Sequence, residues 1–208
     1  MSENKSSSSL LKSIIYGVVF GVLTGVLWAY LNPVPIIPGM IHLRLFSFIP
    51  PVVGIIFGMK AGFFSGYIGT VVWGLLAGTF IPIHSLIGDG IGVGFTGLIP
   101  AMMVGAKYSL ADIAEKKNIM WKSLLWSVLA GVIMIIISCG SLAILGIFDF
   151  WWGVFWIGIA DIPTICLTPF IAKYLAKKLQ NVNSIDEMRA SRSQYKNHLV
   201  LHEYMKNQ

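Results

Sequence analysis

The chain has 208 residues, of which 56% are hydrophobic and 12% charged, with 15 basic and 9 acidic side chains, a net charge of +6 and a mean hydropathy of +0.77. Soluble domains carry about 25% charged residues, so half the usual charge is missing. These values exclude a soluble globular domain, a disordered chain and, despite the pI near 9.4, a nucleic-acid-binding module, which needs its lysines on an accessible face beside a polar core.

The charges are segregated. Arg44 is the only charged residue from Ser13 to Met59, Asp89 the only one from Ala61 to Ala106, and Asp149 and Asp161 are the only ones from Ser123 to Ala172. Uncharged stretches of this length predict an all-α membrane protein of six transmembrane helices, each at or near the roughly 20 residues that cross a bilayer. In chain order the expected spans are Leu11–Leu31, Ile41–Met59, Ala61–Ile81, Leu86–Ala106, Ser123–Ile147 and Trp152–Leu179, with Lys60 closing a tight turn between the second and third. Residues 1–180 form one transmembrane domain, and 181–208 a polar tail in which Ser184-x-x-Glu187 resembles a capping box. Fourteen of the 15 basic residues fall at one set of ends and Arg44 alone at the other, which places both termini in the cytoplasm by the positive-inside rule. The first run is longer than a signal-peptide core and is followed by Asn32-Pro33 instead of a small-residue cleavage site.

Between the first two spans, Pro33, Pro35 and Pro38 prevent a regular helix in a segment that is nevertheless apolar. A packed turn on the outer rim and a lid over a pocket both account for it. In the inner segment after the fourth span, Ser109-Leu-Ala-Asp112 predicts the cap of a short helix.

Glycine numbers 22 and is patterned. Gly17, Gly21 and Gly25 recur every four residues, giving the first helix a face without side chains that permits close approach of another helix. The run Gly88-Asp-Gly90-Ile-Gly92-Val-Gly94 is not a dinucleotide site, because it opens an apolar span and not a βαβ unit. No Walker A lysine motif is present, so energy for uphill transport would come from an ion gradient or a partner. Cys139 and Cys166 lie inside apolar runs, against a disulfide or zinc site. The sequence points to no cofactor and no metal.

Ionisable groups inside a membrane are costly and mark function by default. Asp161, about nine residues into the sixth span and followed by Pro163, is the foremost candidate for binding a substrate, with His84, Asp89, Arg44 and Asp149 at the same outer level. Trp152, Phe155 and Trp156 are expected to share a helical face with Asp161, and an aromatic wall above a carboxylate would suit a flat, cationic ring. The interfacial aromatic belt accounts for part of this cluster, but not for Trp73 deep in the third span.

The stretch Leu43-Arg44-Leu45-Phe46-Ser47-Phe48-Ile49-Pro50, then Gly54-Ile-Ile-Phe-Gly58 and Gly62-Phe-Phe-Ser-Gly66-Tyr-Ile-Gly69, resembles the substrate-binding S components of energy-coupling factor (ECF) vitamin transporters. That resemblance covers about residues 10–180 and implies a prokaryotic plasma-membrane protein with six helices. Such a protein captures a vitamin-like molecule at the outer face under a lid, here Asn32–Met40, and delivers it with a transmembrane coupling subunit and two ATPases. It also implies partner docking through small residues on the first helix, at Gly17, Gly21 and Gly25, where the family carries alanines. Trp73-Gly74 and the tryptophans before the sixth span are similar to thiamin-type members, but those carry a polar amide where Asp161 stands. This departure points to a related aromatic or cationic substrate. A self-contained secondary transporter or channel is the alternative, although no internal repeat supports it. An intramembrane enzyme is a third reading, without a Ser/His, paired-carboxylate or HExxH motif in its favour.

Overall fold

The computed structural model describes residues 3–31, 35–37 and 41–180, with side chains from residue 11 onward outside the short strands. Apart from one two-stranded ribbon, the described chain is helical. Helix α1 spans Glu3–Tyr30. Strands β1 (Pro35–Ile37) and β2 (Ile41–His42) pair antiparallel, and α2 (Ile49–Phe57) and α3 (Met59–Leu76) follow. Then come α4 (Asp89–Pro100), α5 (Leu110–Glu115), α6 (Lys117–Ile144), α7 (Phe150–Ile165) and α8 (Thr168–Leu179). One-turn π-helical segments, His84–Gly88 and Ala101–Gly105, extend α4 at both ends into one apolar rod.

Among the described residues, four stretches are long and apolar enough to cross a membrane: Leu11–Tyr30, His84–Gly105, Lys117–Ile144 and Phe150–Leu179. Their exposed sides are apolar. On α1 the outward residues include Leu11, Ile15, Val19, Val22 and Tyr30, and on α6 they include Leu125, Leu129 and Ile136. Large apolar faces turned outward on this scale suit a lipid surround.

The expected second span, Ile41–Met59, is not a single helix. It divides into β2, a turn over 43–48 and the nine-residue α2, which at 1.5 Å per residue is about 14 Å long and reaches only halfway across the apolar layer. Pro50 and Pro51 are the cause: two successive residues without an N–H can open a helix but not continue one. The tight turn expected at Lys60 sits instead at Gly58, whose φ of 99° only glycine adopts readily, and Lys60 belongs to α3. The third span ends early, at Leu76, where Gly78 (φ 70°) reverses the chain and Thr79 N–H donates to Gly74 O at 3.0 Å. The sixth span is broken at Cys166–Leu167, between Pro163 and Pro169. Residues 32–34 and 38–40 of the expected lid, and the tail 181–208 with its capping box, lie outside the described residues. Ser109 does cap α5: its hydroxyl accepts from Asp112 N–H at 3.1 Å while Asp112 accepts from Ser109 N–H at 3.2 Å.

The helices pack through glycine. The buried stripe of α1 runs Ser13, Gly17, Gly21, Thr24, Trp28, and it lies on α3. A Cβ on Gly17 would stand 2.8 Å from Phe64 Cβ, one on Gly21 2.8 Å from Ile68 Cβ, and one on Gly25 2.6 Å from Val72 Cβ. The partner-docking face expected on α1 is therefore filled from within the chain. Gly54, Gly62 and Gly97 bring α2, α3 and α4 so close that a Cβ on any of them would run into the backbone of another. Two apolar clusters result. Ile55, Ile56, Val104, Ile113 and Ile119 gather near α5, and Trp28, Val93, Met134, Ile135 and Ile165 gather toward the other end, where the charged side chains lie.

Candidate binding site

The turn over 43–48 projects Arg44 into the bundle. Its Nη2 lies 3.3 Å from Asp89 Oδ2 and its Nη1 3.9 Å from Asp161 Oδ2, so two carboxylates from α4 and α7 face one guanidinium. Both acids are buried, Asp89 at 3% and Asp161 at 1% exposure. In apolar surroundings such charges persist only when paired and hydrogen-bonded. Here Ser138 Oγ donates to Asp89 Oδ1 at 2.7 Å, and Ser47 Oγ donates to Asp161 Oδ1 at 2.6 Å. Among the described residues, Asp161 Oδ2 accepts no hydrogen bond. The guanidinium occupies the space between the carboxylates and lies 4.4 Å from the Trp73 ring centroid and 5.3 Å from that of Trp28, within cation–π range.

Above this floor opens a cavity of about 360 Å³, lined by Arg44, Trp73, His84, Asp89 and Asp161 together with Phe80, Leu142, Phe148 and Ile157. The volume lies at the low end of small-molecule sites, and the mix of apolar wall and few convergent polar groups is typical of them. His84 Nδ1 is 2.7 Å from Ser141 Oγ, whose own hydroxyl donates to Ser138 O at 2.8 Å. A second, water-sized chamber is bordered by Trp28, Arg44, Ser47, Thr96 and Asp161, and among the described residues the Trp28 indole N–H has no hydrogen-bond partner.

Five of the residues singled out in the sequence thus converge on one cavity: Arg44, Trp73, His84, Asp89 and Asp161. The other three do not line it. Asp149 caps α7, accepting from Trp152 N–H at 3.0 Å. Trp152 is 40% exposed and leans on Phe148 with ring centroids 5.2 Å apart, while Trp156 packs edge-on against Phe155, itself 60% exposed. The aromatic wall comes instead from Trp73, Phe80 and Phe148. Sequence reasoning missed Trp28, Ser47, Ser138 and Ser141. The only signal for the last two is their i, i+3 spacing, which sets both hydroxyls on one face of α6. No family model, no curated protein and no solved structure matches this chain.

Proposed function

We propose that this chain is a membrane-embedded binding subunit that captures a small, vitamin-like molecule from the outer side and passes it to an energising module, as in ECF-type importers. The carrying observation is the Arg44–Asp89–Asp161 cluster at the floor of an aromatic-lined cavity among apolar helices. Desolvated charges beside an open, ligand-sized space are costly for a purely structural bundle and useful for a binding site. The six-span reading with both termini cytoplasmic completes this proposal: α2 and α3 together stand for the second and third spans, and the lysine-rich ends face inward. The resemblance carried by the Arg44 stretch and the glycine-spaced runs of α2 and α3 supports an S component in a prokaryotic plasma membrane.

The test has two readouts. The detergent-purified chain should yield a bound small molecule by mass spectrometry of a denatured extract. It should also co-purify with a transmembrane coupling subunit and two ATPases from its own cells. Proton-driven uptake by this chain alone in proteoliposomes would replace the proposal with a self-contained transporter.

A further inference from the structure

What a guest meets in this cavity depends on which polar atoms remain reachable. The Arg44 side chain keeps 13% of its surface exposed, against 4% for Asp89 and 1% for Asp161. The rear chamber is only water-sized, so the guanidinium, and not either carboxylate, is the charged group presented to the main cavity. A guanidinium carries several N–H donors in a planar fork. Among the described residues Arg44 uses one of them, from Nη2 to Asp89 Oδ2, while Nη1 stands 3.9 Å from Asp161, beyond hydrogen-bond reach. Donors are therefore left over. On the wall, Ser141 gives its hydrogen to Ser138 O and accepts from His84, which puts the hydrogen of a neutral imidazole on Nδ1 and leaves Nε2 an acceptor. The Thr79 hydroxyl, buried and without a partner among the described residues, can give or take a hydrogen bond and favours neither. The cavity thus combines N–H donors at Arg44 with an acceptor at His84, beside the rings of Trp73, Phe80 and Phe148.

Charge disfavours both kinds of ion. A cation entering the cavity meets the guanidinium before either shielded carboxylate, and an anion meets a guanidinium whose charge two acids already offset. We propose that the ligand is an uncharged, flat molecule carrying a carbonyl-type oxygen and an N–H, as in a lactam or an aromatic amide. Arg44 donates to the oxygen and His84 Nε2 accepts from the N–H. Asp89 and Asp161 are then positioning residues, which hold the guanidinium and cancel its charge so that a neutral acceptor is preferred. The inference rests on the reading of this cavity as a binding site.

Four probes of similar size test it on the full chain in detergent, by calorimetry and thermal shift at millimolar concentrations: benzamide, acetophenone, benzylammonium and benzoate. Benzamide should bind saturably. Acetophenone keeps the carbonyl but lacks the N–H, and should bind about fivefold more weakly, the scale of one neutral hydrogen bond. The two ions should each bind at least about tenfold more weakly than benzamide. Arg44→Lys keeps a cation between the acids but removes the planar fork, and should weaken benzamide and acetophenone alike by at least about tenfold, the scale of a hydrogen bond to a charged group. His84→Leu, at a half-buried position on the cavity wall, should weaken benzamide about fivefold and leave acetophenone unchanged. The probe ranking and His84→Leu decide the matter if Arg44→Lys does not fold. Absence of benzamide binding, preference for either ion, or unchanged benzamide affinity in a folded Arg44→Lys protein would overturn the proposed ligand class. The binding-site reading falls on a different result: a purified chain that carries no small molecule and retains none from a vitamin panel.

Discussion

Thr164 Oγ1 donates to the backbone carbonyl of Arg44 at 2.9 Å, fastening the 43–48 turn to α7 one helical step beyond Asp161. The same turn is tied again where Ser47 meets Asp161 at 2.6 Å. Arg44 is thus held at its main chain and at its guanidinium by one helix, so the turn and α7 position the charge jointly.

Removing that charge should cost more than removing a carboxylate. Arg44→Met leaves two buried acids without a cation, and breaking buried pairs from one side destabilises by about 3–5 kcal/mol. The unfolding midpoint in detergent should fall sharply for Arg44→Met and partly recover in Arg44→Met/Asp89→Asn. Additive losses in that cycle would show that the two side chains are not energetically coupled.

Trp73 and Trp152 separate the cavity from the aromatic belt. Trp73→Leu removes a cavity wall and the face on which Arg44 lies, so ligand affinity should drop and the fold should lose up to about 2 kcal/mol with the cation–π contact of a desolvated pair. Trp152→Leu should leave affinity within about twofold, because exposed side chains away from a site rarely contribute more than 0.5 kcal/mol. Equal losses by calorimetry with the co-purified ligand would contradict this assignment.

The glycines divide by what surrounds them. Gly97→Ala pushes a methyl group into the Gly62 backbone and should cost about 1–3 kcal/mol, as overpacking does. Gly21→Leu should do worse, prising α1 from α3, so that the protein is lost before any partner contact can be assessed. Gly140, inside α6 with open space around its Cβ position, should gain about 0.5–1 kcal/mol on change to alanine. Unfolding midpoints of the three variants give the comparison.

Asp112 lies at the cap of α5, and its carboxyl is held down to about 2 by the Lys116 ammonium at 2.6 Å and by the Ser109 hydroxyl and amide. An unfolded aspartate titrates near 3.9. The lower folded value means that the stabilisation is complete above about pH 4 and drains away as pH falls toward 2. Asp112→Asn should lower the midpoint at pH 7 and flatten its decline between about pH 4 and 2. An unchanged acid limb in midpoints measured across that range would remove Asp112 as its source.

Much of this architecture was legible because charge is so sparse. Runs nearly free of charge mark α1 from Leu11, the rod around α4, most of α6, and α7 into α8. Hydropathy alone does not mark where the second span breaks, although Pro50 and Pro51 fix where α2 can begin. At the site, an ionisable residue in an apolar run identifies itself, which is why Arg44, Asp89 and Asp161 stood out. The shared face expected for Trp152, Trp156 and Asp161 does not form: at 3.6 residues per turn a spacing of nine is about half a turn out of phase, so Asp161 is buried while Trp152 is 40% exposed. Likewise, the Gly17–Gly21–Gly25 repeat announced a close helix contact without revealing that the contact is α3. Ser47 and Ser138 look like any serine in a membrane helix until the fold brings a carboxylate to them.

The reversals that end α3 and α6 match each other. Gly78 and Gly146 have φ of 70° and 69°, and the next residues, Thr79 and Ile147, donate back to Gly74 O and Leu142 O at 3.0 Å each. Both following residues lie on the cavity wall. This part of the cavity wall is therefore drawn by main-chain geometry. Thr79→Val and Ile147→Ser should change which molecules are admitted and leave the unfolding midpoint nearly unchanged; collapse of either variant would contradict that separation. A scaffold built this way can change this wall without renegotiating the buried charges beside it.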